Sequence, residues 1–230
     1  MYCTSTQFRR LSESELVSIE QEGHIRLPQS YRDFMKTYGD GTYSGVICIN
    51  CPDFELLDKY AEDYFWEYDG APIRREQLKE CVVIGNSIDG DYIVIHDDVD
   101  GYILLPRQDD RITLFPYSNE DFLCTVNRIG EFLYNEGLDD YFEPGVSKYM
   151  FMYCRGKKMH PIIERFKAAF PCDYLVENEY VCEVFLLRMG GYVSFRHSGG
   201  GGSEIVIYYS DYGMTYVEEV KRFLNENGCS

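Results

Sequence analysis

The chain has 230 residues, is 45% apolar and 16% aromatic, and carries 39 acidic and 22 basic residues for a net charge of −17. This apolar content excludes a disordered chain, and no apolar run reaches the roughly 18–20 residues that span a bilayer. Because the first ten residues lack the apolar stretch of a signal peptide, we expect a cytoplasmic protein with no membrane partner.

The negative charge is concentrated in the first part of the chain. Residues 1–146 contain 29 acidic and 12 basic residues, whereas residues 147–230 contain ten of each. An acidic segment repels phosphates, which argues against nucleic-acid binding. It favours a basic protein partner that is attracted by long-range electrostatics, although solubility alone would also explain the charge.

Two helices are predicted near the start of the chain. Ser12 and Glu15 have the spacing of a capping box, and Gly23 is suited to end the helix that follows. The second helix is predicted over residues 29–38, directly after Pro28. It carries a core-facing stripe at helical spacing, formed by Tyr31, Phe34, Met35 and Tyr38.

A meander of short strands is predicted in the middle of the chain. Apolar runs at 92–96, 102–106 and 111–115 are separated by turns rich in Asp and Gly, and the imperfect alternation indicates a strand buried on both faces. Earlier strands are predicted at 46–50 and 81–84. A helix is then predicted from a cap at Ser118 or Asn119 to Tyr134, before a stop at Gly137, with Phe122, Val126, Ile129, Phe132 and Leu133 inside.

Acidic and aromatic residues combine in two places, in a predicted helix over 53–68 and at the tip of the first meander hairpin. Interfaces favour Trp and Tyr as anchors, and surrounding carboxylates accelerate association with a basic partner. We therefore predict partner-binding residues at Asp53, Glu55, Asp58, Asp63, Trp66, Asp97, Asp98 and Asp100. The alternative is that Trp66 belongs to the core and the acids are only solvated.

The order of these elements resembles the SUKH superfamily, the Smi/Knr-type proteins, over about residues 10–136. The resemblance lies in a Gly-x-x-x-Leu-Pro segment, a Tyr-Arg-x-Phe helix with a Gly-rich end, an Ile-Gly strand start, an Asp-Gly hairpin and a closing Phe-Leu helix. The matching residues are Gly23, Leu27, Pro28, Tyr31, Arg32, Phe34, Gly39-Asp40-Gly41, Ile84-Gly85, Tyr92, Asp100-Gly101, Phe122 and Leu123.

This resemblance implies an α+β fold with a mainly antiparallel sheet flanked by helices, and a non-enzymatic binding function. Many bacterial members are immunity proteins that neutralise a cognate toxin, often a nuclease. Fungal members regulate cell-wall synthesis. The resemblance therefore leads us to expect a protein that blocks a basic toxin domain, or alternatively an intracellular regulatory module. It implies no catalytic residues and no cofactor.

Residues 147–230 are predicted to form a second, small α+β unit after a break at Glu143-Pro144-Gly145, so that the first domain covers residues 1–146. The predicted order is strand 149–154, helix 161–169, strands 180–187, 192–196 and 204–209, and helix 215–225. An extension of the first sheet is the alternative. We recognise no family for this segment, and an enzyme within it is the least favoured hypothesis.

The remaining sequence motifs do not predict a functional site. Nine scattered cysteines in a cytoplasmic protein are expected to be reduced, and the Cys48–Cys51 pair lacks further metal ligands. The Gly199–Gly202 run precedes a strand rather than the helix that a phosphate loop requires. We predict no metal site.

Overall fold

The computed structural model describes residues 1–57, 68–109, 111–118, 120–145, 147–154, 159–197 and 203–230. Most of the predicted helix over 53–68 lies outside these residues. The chain forms two compact units, a central unit of Phe8–Asp140 and a terminal unit of Met1–Gln7 with Tyr141–Ser230. Both combine helices with largely antiparallel sheets, which confirms the predicted α+β fold.

The central unit contains four described helices and six strands. The helices are α1 (Glu13–Gly23), α2 (Gln29–Thr37), α3 (Arg75–Leu78) and α4 (Phe122–Tyr134). The first strand of the chain, β1 (Tyr2–Cys3), belongs to the terminal unit. The strands of the central unit are β2 (Gly41–Tyr43), β3 (Ile47–Asp53), β4 (Val82–Ser87), β5 (Tyr92–Ile95), β6 (Gly101–Leu105) and β7 (Thr113–Pro116). They pair antiparallel in chain order.

Local hydrogen bonds explain where α1 begins. The Ser12 hydroxyl accepts from the Glu15 backbone N–H at 3.2 Å, and the Glu15 carboxylate accepts from the Ser12 N–H at 2.7 Å. This confirms the predicted capping box. The helix ends where His24 adopts a left-handed conformation with φ 50°.

The Gly-rich turn after α2 requires its first glycine. Gly39 has φ +73°, and a Cβ placed there would lie 2.1 Å from the backbone oxygen of Arg9. A side chain would therefore be strained and would overlap the neighbouring segment. The Arg9 side chain also forms an ion pair with Asp40, which holds this segment against the turn.

Helices cover one face of the central sheet through aromatic contacts. Phe122 of α4 packs against Tyr31 and Phe34 of α2 and against Tyr102 of β6, in each case with ring centroids 5.4 Å apart. On the opposite face, Ile103 and Leu105 join a second apolar cluster. All five residues of β6 are buried, which confirms the predicted strand with two buried faces.

Three details of the predicted α4 are wrong. Its N-cap is Asp121, whose carboxylate accepts from the Cys124 N–H at 3.0 Å. The helix ends at Tyr134 as predicted, but the residue that stops it is Asn135, in a left-handed conformation, rather than Gly137. Phe132 was placed inside but is 52% exposed. At 100° per residue its side chain lies about 80° from the direction of Phe122, at the margin of the buried face.

The described residues of the terminal unit form two helices and seven strands. The helices are α5 (His160–Ala169) and α6 (Met214–Glu226), the latter preceded by a 3-10 turn at Asp211–Gly213. The later strands are β8 (Tyr141–Pro144), β9 (Lys148–Tyr153), β10 (Tyr174–Glu177), β11 (Val181–Leu186), β12 (Gly191–His197) and β13 (Ser203–Tyr209). β1 pairs with β8 in parallel, and the other five form an antiparallel sheet in the order β10-β11-β12-β13-β9.

One face of this five-stranded sheet forms the core with both helices. Ile163 and Phe166 of α5 and Val217 of α6 pack in one buried cluster with strand residues such as Phe195 and Ile207. The expectation that all cysteines are reduced is wrong, because Cys154 and Cys229 form a disulfide within this unit. Spacing gave no sign of the bond, since 75 residues separate the two cysteines.

Candidate partner-binding site

The predicted hairpin tip, residues 96–101 between β5 and β6, is a turn held by backbone hydrogen bonds. The N–H of Val99 donates to the oxygen of His96, and the N–H of Gly101 donates to that of Val99, both at 3.0 Å. The Asp98 N–H donates to Nδ1 of His96 at 3.1 Å. The tip is therefore held by its own backbone and by one buried ring.

His96 connects the tip to the neighbouring segment. Its side chain is buried, and its Nε2 lies 3.3 Å from the Glu80 carboxylate. Because Nδ1 accepts from a backbone N–H, Nε2 carries the proton and donates to Glu80. The ring thus has partners on both nitrogens and links the tip to the segment that carries Glu80.

Asp97, Asp98 and Asp100 are exposed at the tip. Asp97 Oδ1 accepts from the backbone N–H of Arg26 at 2.9 Å, which fixes that carboxylate against the segment after α1. Across the described part of the chain, no basic side chain forms an ion pair with any of the three. The tip therefore presents three carboxylates to solvent.

A cleft of about 700 Å³ lies on one side of the tip. Its opposite wall contains Arg32 of α2, a buried residue that forms ion pairs with Glu20 and Glu13. Lys36 lies 3.2 Å from Glu13 and 3.1 Å from Asp33. Arg32 and Lys36 are thus neutralised from within the unit.

These ion pairs are reflected in the ionisation of the wall. The hydrogen bond from Lys36 lowers the pKa of the Glu13 carboxyl, and Arg32 adds to the effect. The hydrogen bond to Glu20 raises the pKa of the Arg32 guanidinium. Glu13, Arg32 and Lys36 consequently remain charged but paired with one another at neutral pH.

A second cleft of about 540 Å³ shares Asp97 and Asp98 with the first. Phe54, which stands between the predicted residues Asp53 and Glu55, lies in its wall. The Phe54 ring packs so closely on Gly23 that a Cβ there would lie 2.0 Å from it. The hairpin tip is therefore a ridge between two clefts, with one aromatic ring beside it.

The structure places the predicted residues unequally. Asp53 and Glu55 are exposed where β3 ends, and Asp53 accepts from the N–H groups of Glu55 and Leu56 at 2.9 Å. Asp58, Asp63 and Trp66 lie outside the described residues. Sequence reasoning did not assign the first cleft's other wall, because its members are far apart in the chain: Glu13, Glu20, Arg26, Arg32 and Lys36.

Neither a metal centre nor a membrane-spanning helix is evident in the part of the chain that the structure describes. No group of three or more His, Cys, Asp or Glu side chains in that part could hold a metal ion. None of the helices there is long and apolar enough to cross a bilayer.

Comparison with known families identifies the central unit. A sequence model of the SMI1 / KNR4 family (SUKH-1) matches residues 10–143, more than half of the chain. The chain belongs to this family. No curated protein and no solved structure matches it. Members of the SUKH family are generally non-enzymatic binding or immunity domains that bind partner proteins.

Proposed function

We propose that this SUKH-1 protein is an immunity protein that neutralises a basic toxin domain, of the nuclease type, by stoichiometric occlusion. The observation that carries the proposal is the ridge formed by Asp97, Asp98 and Asp100. These three exposed carboxylates lie between two clefts and form no ion pair within the described residues. No cofactor or catalytic step is involved.

The chemistry of a nucleic-acid enzyme explains why carboxylates suit this role. Such an enzyme binds phosphates with Lys and Arg side chains, and a row of carboxylates presents the same charge to them. The excess negative charge of residues 1–146 attracts the partner at long range, and the fixed ridge then enters the basic cleft. Bound in this way, the protein occupies the substrate cleft of the toxin and so excludes the nucleic acid from it.

Asp53 and Glu55 extend the proposed surface beside Phe54. Asp58, Asp63 and Trp66 remain part of the proposal on sequence grounds alone. Within the described surface, Phe54 supplies an apolar anchor of the kind that interface centres favour, and the carboxylates form a charged rim around it.

Affinity capture from a lysate of the native organism tests the proposal. The expected result is one basic, nuclease-like polypeptide in near-equal amount, bound at about 50 mM salt and more weakly at about 500 mM, since salt screens exposed charges. The matched bait carries Asp97→Asn, Asp98→Asn and Asp100→Asn. Asn keeps an oxygen that can accept from the Arg26 N–H, so the turn is retained while three charges are removed.

A control bait removes three charges elsewhere, through Glu179→Gln, Glu219→Gln and Glu226→Gln at exposed positions of the terminal unit. Equal capture by the Asn triple variant and by the wild type would contradict the assignment of the ridge. Capture of a cell-wall or signalling complex in place of a toxin would instead support the regulatory alternative within the family.

A further inference from the structure

An aromatic ladder crosses the five-stranded sheet of the terminal unit, on the face opposite the helices. Each strand contributes one ring, and adjacent rings belong to directly paired residues: Tyr174, Phe185, Tyr192, Tyr208 and Tyr149. Successive ring centroids lie 5.3, 4.7, 4.5 and 6.2 Å apart. Cross-strand aromatic pairs of this kind stabilise a sheet.

The two ends of the ladder differ. At the β10 end, Tyr2 of β1 stacks on Tyr174 with centroids 5.2 Å apart, and Tyr141 of β8 lies 4.7 Å from Phe185. At the other end, Tyr149 of the edge strand β9 is 60% exposed, and Phe151, two residues on, is 50% exposed. The ladder is thus covered by its own unit at one end and open at the other.

The backbone of β9 is open at the same place. The backbone N–H of Cys154 donates to the backbone oxygen of Ser203 in β13. Because backbone groups alternate in direction along a strand, those of Met150 and Met152 also point toward β13. The backbone groups of Tyr149, Phe151 and Tyr153 therefore point away from β13. Tyr153 exchanges both of its backbone hydrogen bonds with Ser230. No described residue bonds to the outward groups of Tyr149 or Phe151, which leaves two donors and two acceptors at the edge.

We infer that this edge pairs with the β9 edge of a second copy of the chain, in antiparallel register about a two-fold axis at Met150. Tyr149 then lies opposite the partner's Phe151, and Phe151 opposite the partner's Tyr149. All four open backbone groups on each copy form hydrogen bonds. The two sheets become one of ten strands, and the aromatic ladder continues across the junction.

Symmetry and charge favour a second copy over another protein's strand. Tyr149 and Phe151, whose outward backbone groups are open, lie symmetrically on either side of Met150. The next outward residue, Tyr153, is already hydrogen-bonded to Ser230. The open stretch is therefore complementary to itself. Residues 147–230, which contain β9, carry ten acidic and ten basic residues, so this segment has no net charge that would oppose the pairing of two copies. Lys148, beside the stretch, is already paired with Asp211.

Sedimentation equilibrium of the full chain, with the disulfide intact, tests the inference. The wild type is expected to dimerise as concentration rises, and Phe151→Glu to raise the dimer dissociation constant at least about tenfold, because two carboxylates would face the paired rings. The matched control is Phe132→Glu, which replaces a half-exposed aromatic of the central unit and leaves dimerisation unchanged.

Hydrogen exchange of the wild type provides a test that does not depend on the variant folding. The amides of Tyr149 and Phe151 are expected to exchange more slowly as protein concentration rises, whereas other edge amides do not change. A wild type that stays monomeric at all concentrations, with fast exchange at both amides, overturns the inference. A dimer that Phe151→Glu leaves unchanged overturns it as well. Neither outcome bears on the carboxylate ridge of the central unit.

Discussion

Glu143 in β8 gives the most direct test of the buried polar contacts in the terminal unit. Its side chain is 7% exposed and accepts a hydrogen bond from the Tyr192 hydroxyl at 3.0 Å. Burial raises the pKa of its carboxyl from 4.5 to about 7, the nearby Glu183 carboxylate adds to the effect, and the hydrogen bonds from Tyr192 and Ser147 oppose it. The folded protein thus keeps a proton that the unfolded chain releases.

The sign of the pH dependence follows from this difference. Between pH 4.5 and about 7 the folded state binds more protons than the unfolded state, so the free energy of unfolding falls as pH rises. The stabilising contribution is complete below pH 4.5 and is lost as pH passes the raised pKa of Glu143. At about 1.36 kcal/mol per pKa unit, the loss amounts to about 3 kcal/mol.

Glu143→Gln removes the ionisation and keeps an oxygen that can accept from Tyr192. We expect the variant to gain about 3 kcal/mol of stability relative to the wild type between about pH 4.5 and about pH 8. Urea unfolding at each pH, read by a brief hydrogen-exchange pulse in peptides from β8 and β12, measures the terminal unit specifically. The control, Glu179→Gln, changes an exposed glutamate of the same unit. The reasoning would be refuted if the free energy of unfolding changed with pH in the same way in the wild type and in Glu143→Gln. It would also be refuted if the wild type became more stable relative to the variant as pH rises.

Two further predictions concern stability. Because the Cys154–Cys229 disulfide closes a loop with a sequence separation of 75 residues, Cys229→Ser should cost the terminal unit about 4 kcal/mol in the same urea assay; an unchanged midpoint under non-reducing conditions would show that the bond contributes little. Ser12→Ala removes the hydroxyl that accepts from the Glu15 N–H, and should lower central-unit stability by about 1 kcal/mol, measured by thermal unfolding. Ser18→Ala, at an exposed position later in α1, is the matched control, and an equal loss there would rule out a specific capping effect.

Local sequence signals predicted most elements of the fold. The capping box at Ser12 and the apolar stripe of α2 depend on residues within one or two helical turns, so sequence alone identifies them. The short runs of the meander likewise marked β5, β6 and β7. β10 was missed because it has only four residues, and a single one of them, Val176, is buried. Its place in the sheet depends on pairing with β11, which no local pattern reveals.

The candidate site was predictable only in part, for the same reason. A hairpin tip rich in Asp is a local feature, and the structure shows Asp97, Asp98 and Asp100 exposed on one ridge. That Asp97 meets Arg26 across 71 residues is a consequence of the fold. The Tyr-Arg-x-Phe motif did single out Arg32, but its partners Glu13 and Glu20 became apparent only from the packing of α1 against α2.

A binding titration with the captured partner tests the central claim most directly. Isothermal titration at about 50 mM salt should give one partner molecule per chain for the wild type and for the Glu179, Glu219 and Glu226 control. The variant with Asn at 97, 98 and 100 should bind at least about tenfold more weakly, because the loss of three carboxylates removes both attraction and contacts. Equal affinities for all three proteins would contradict the account.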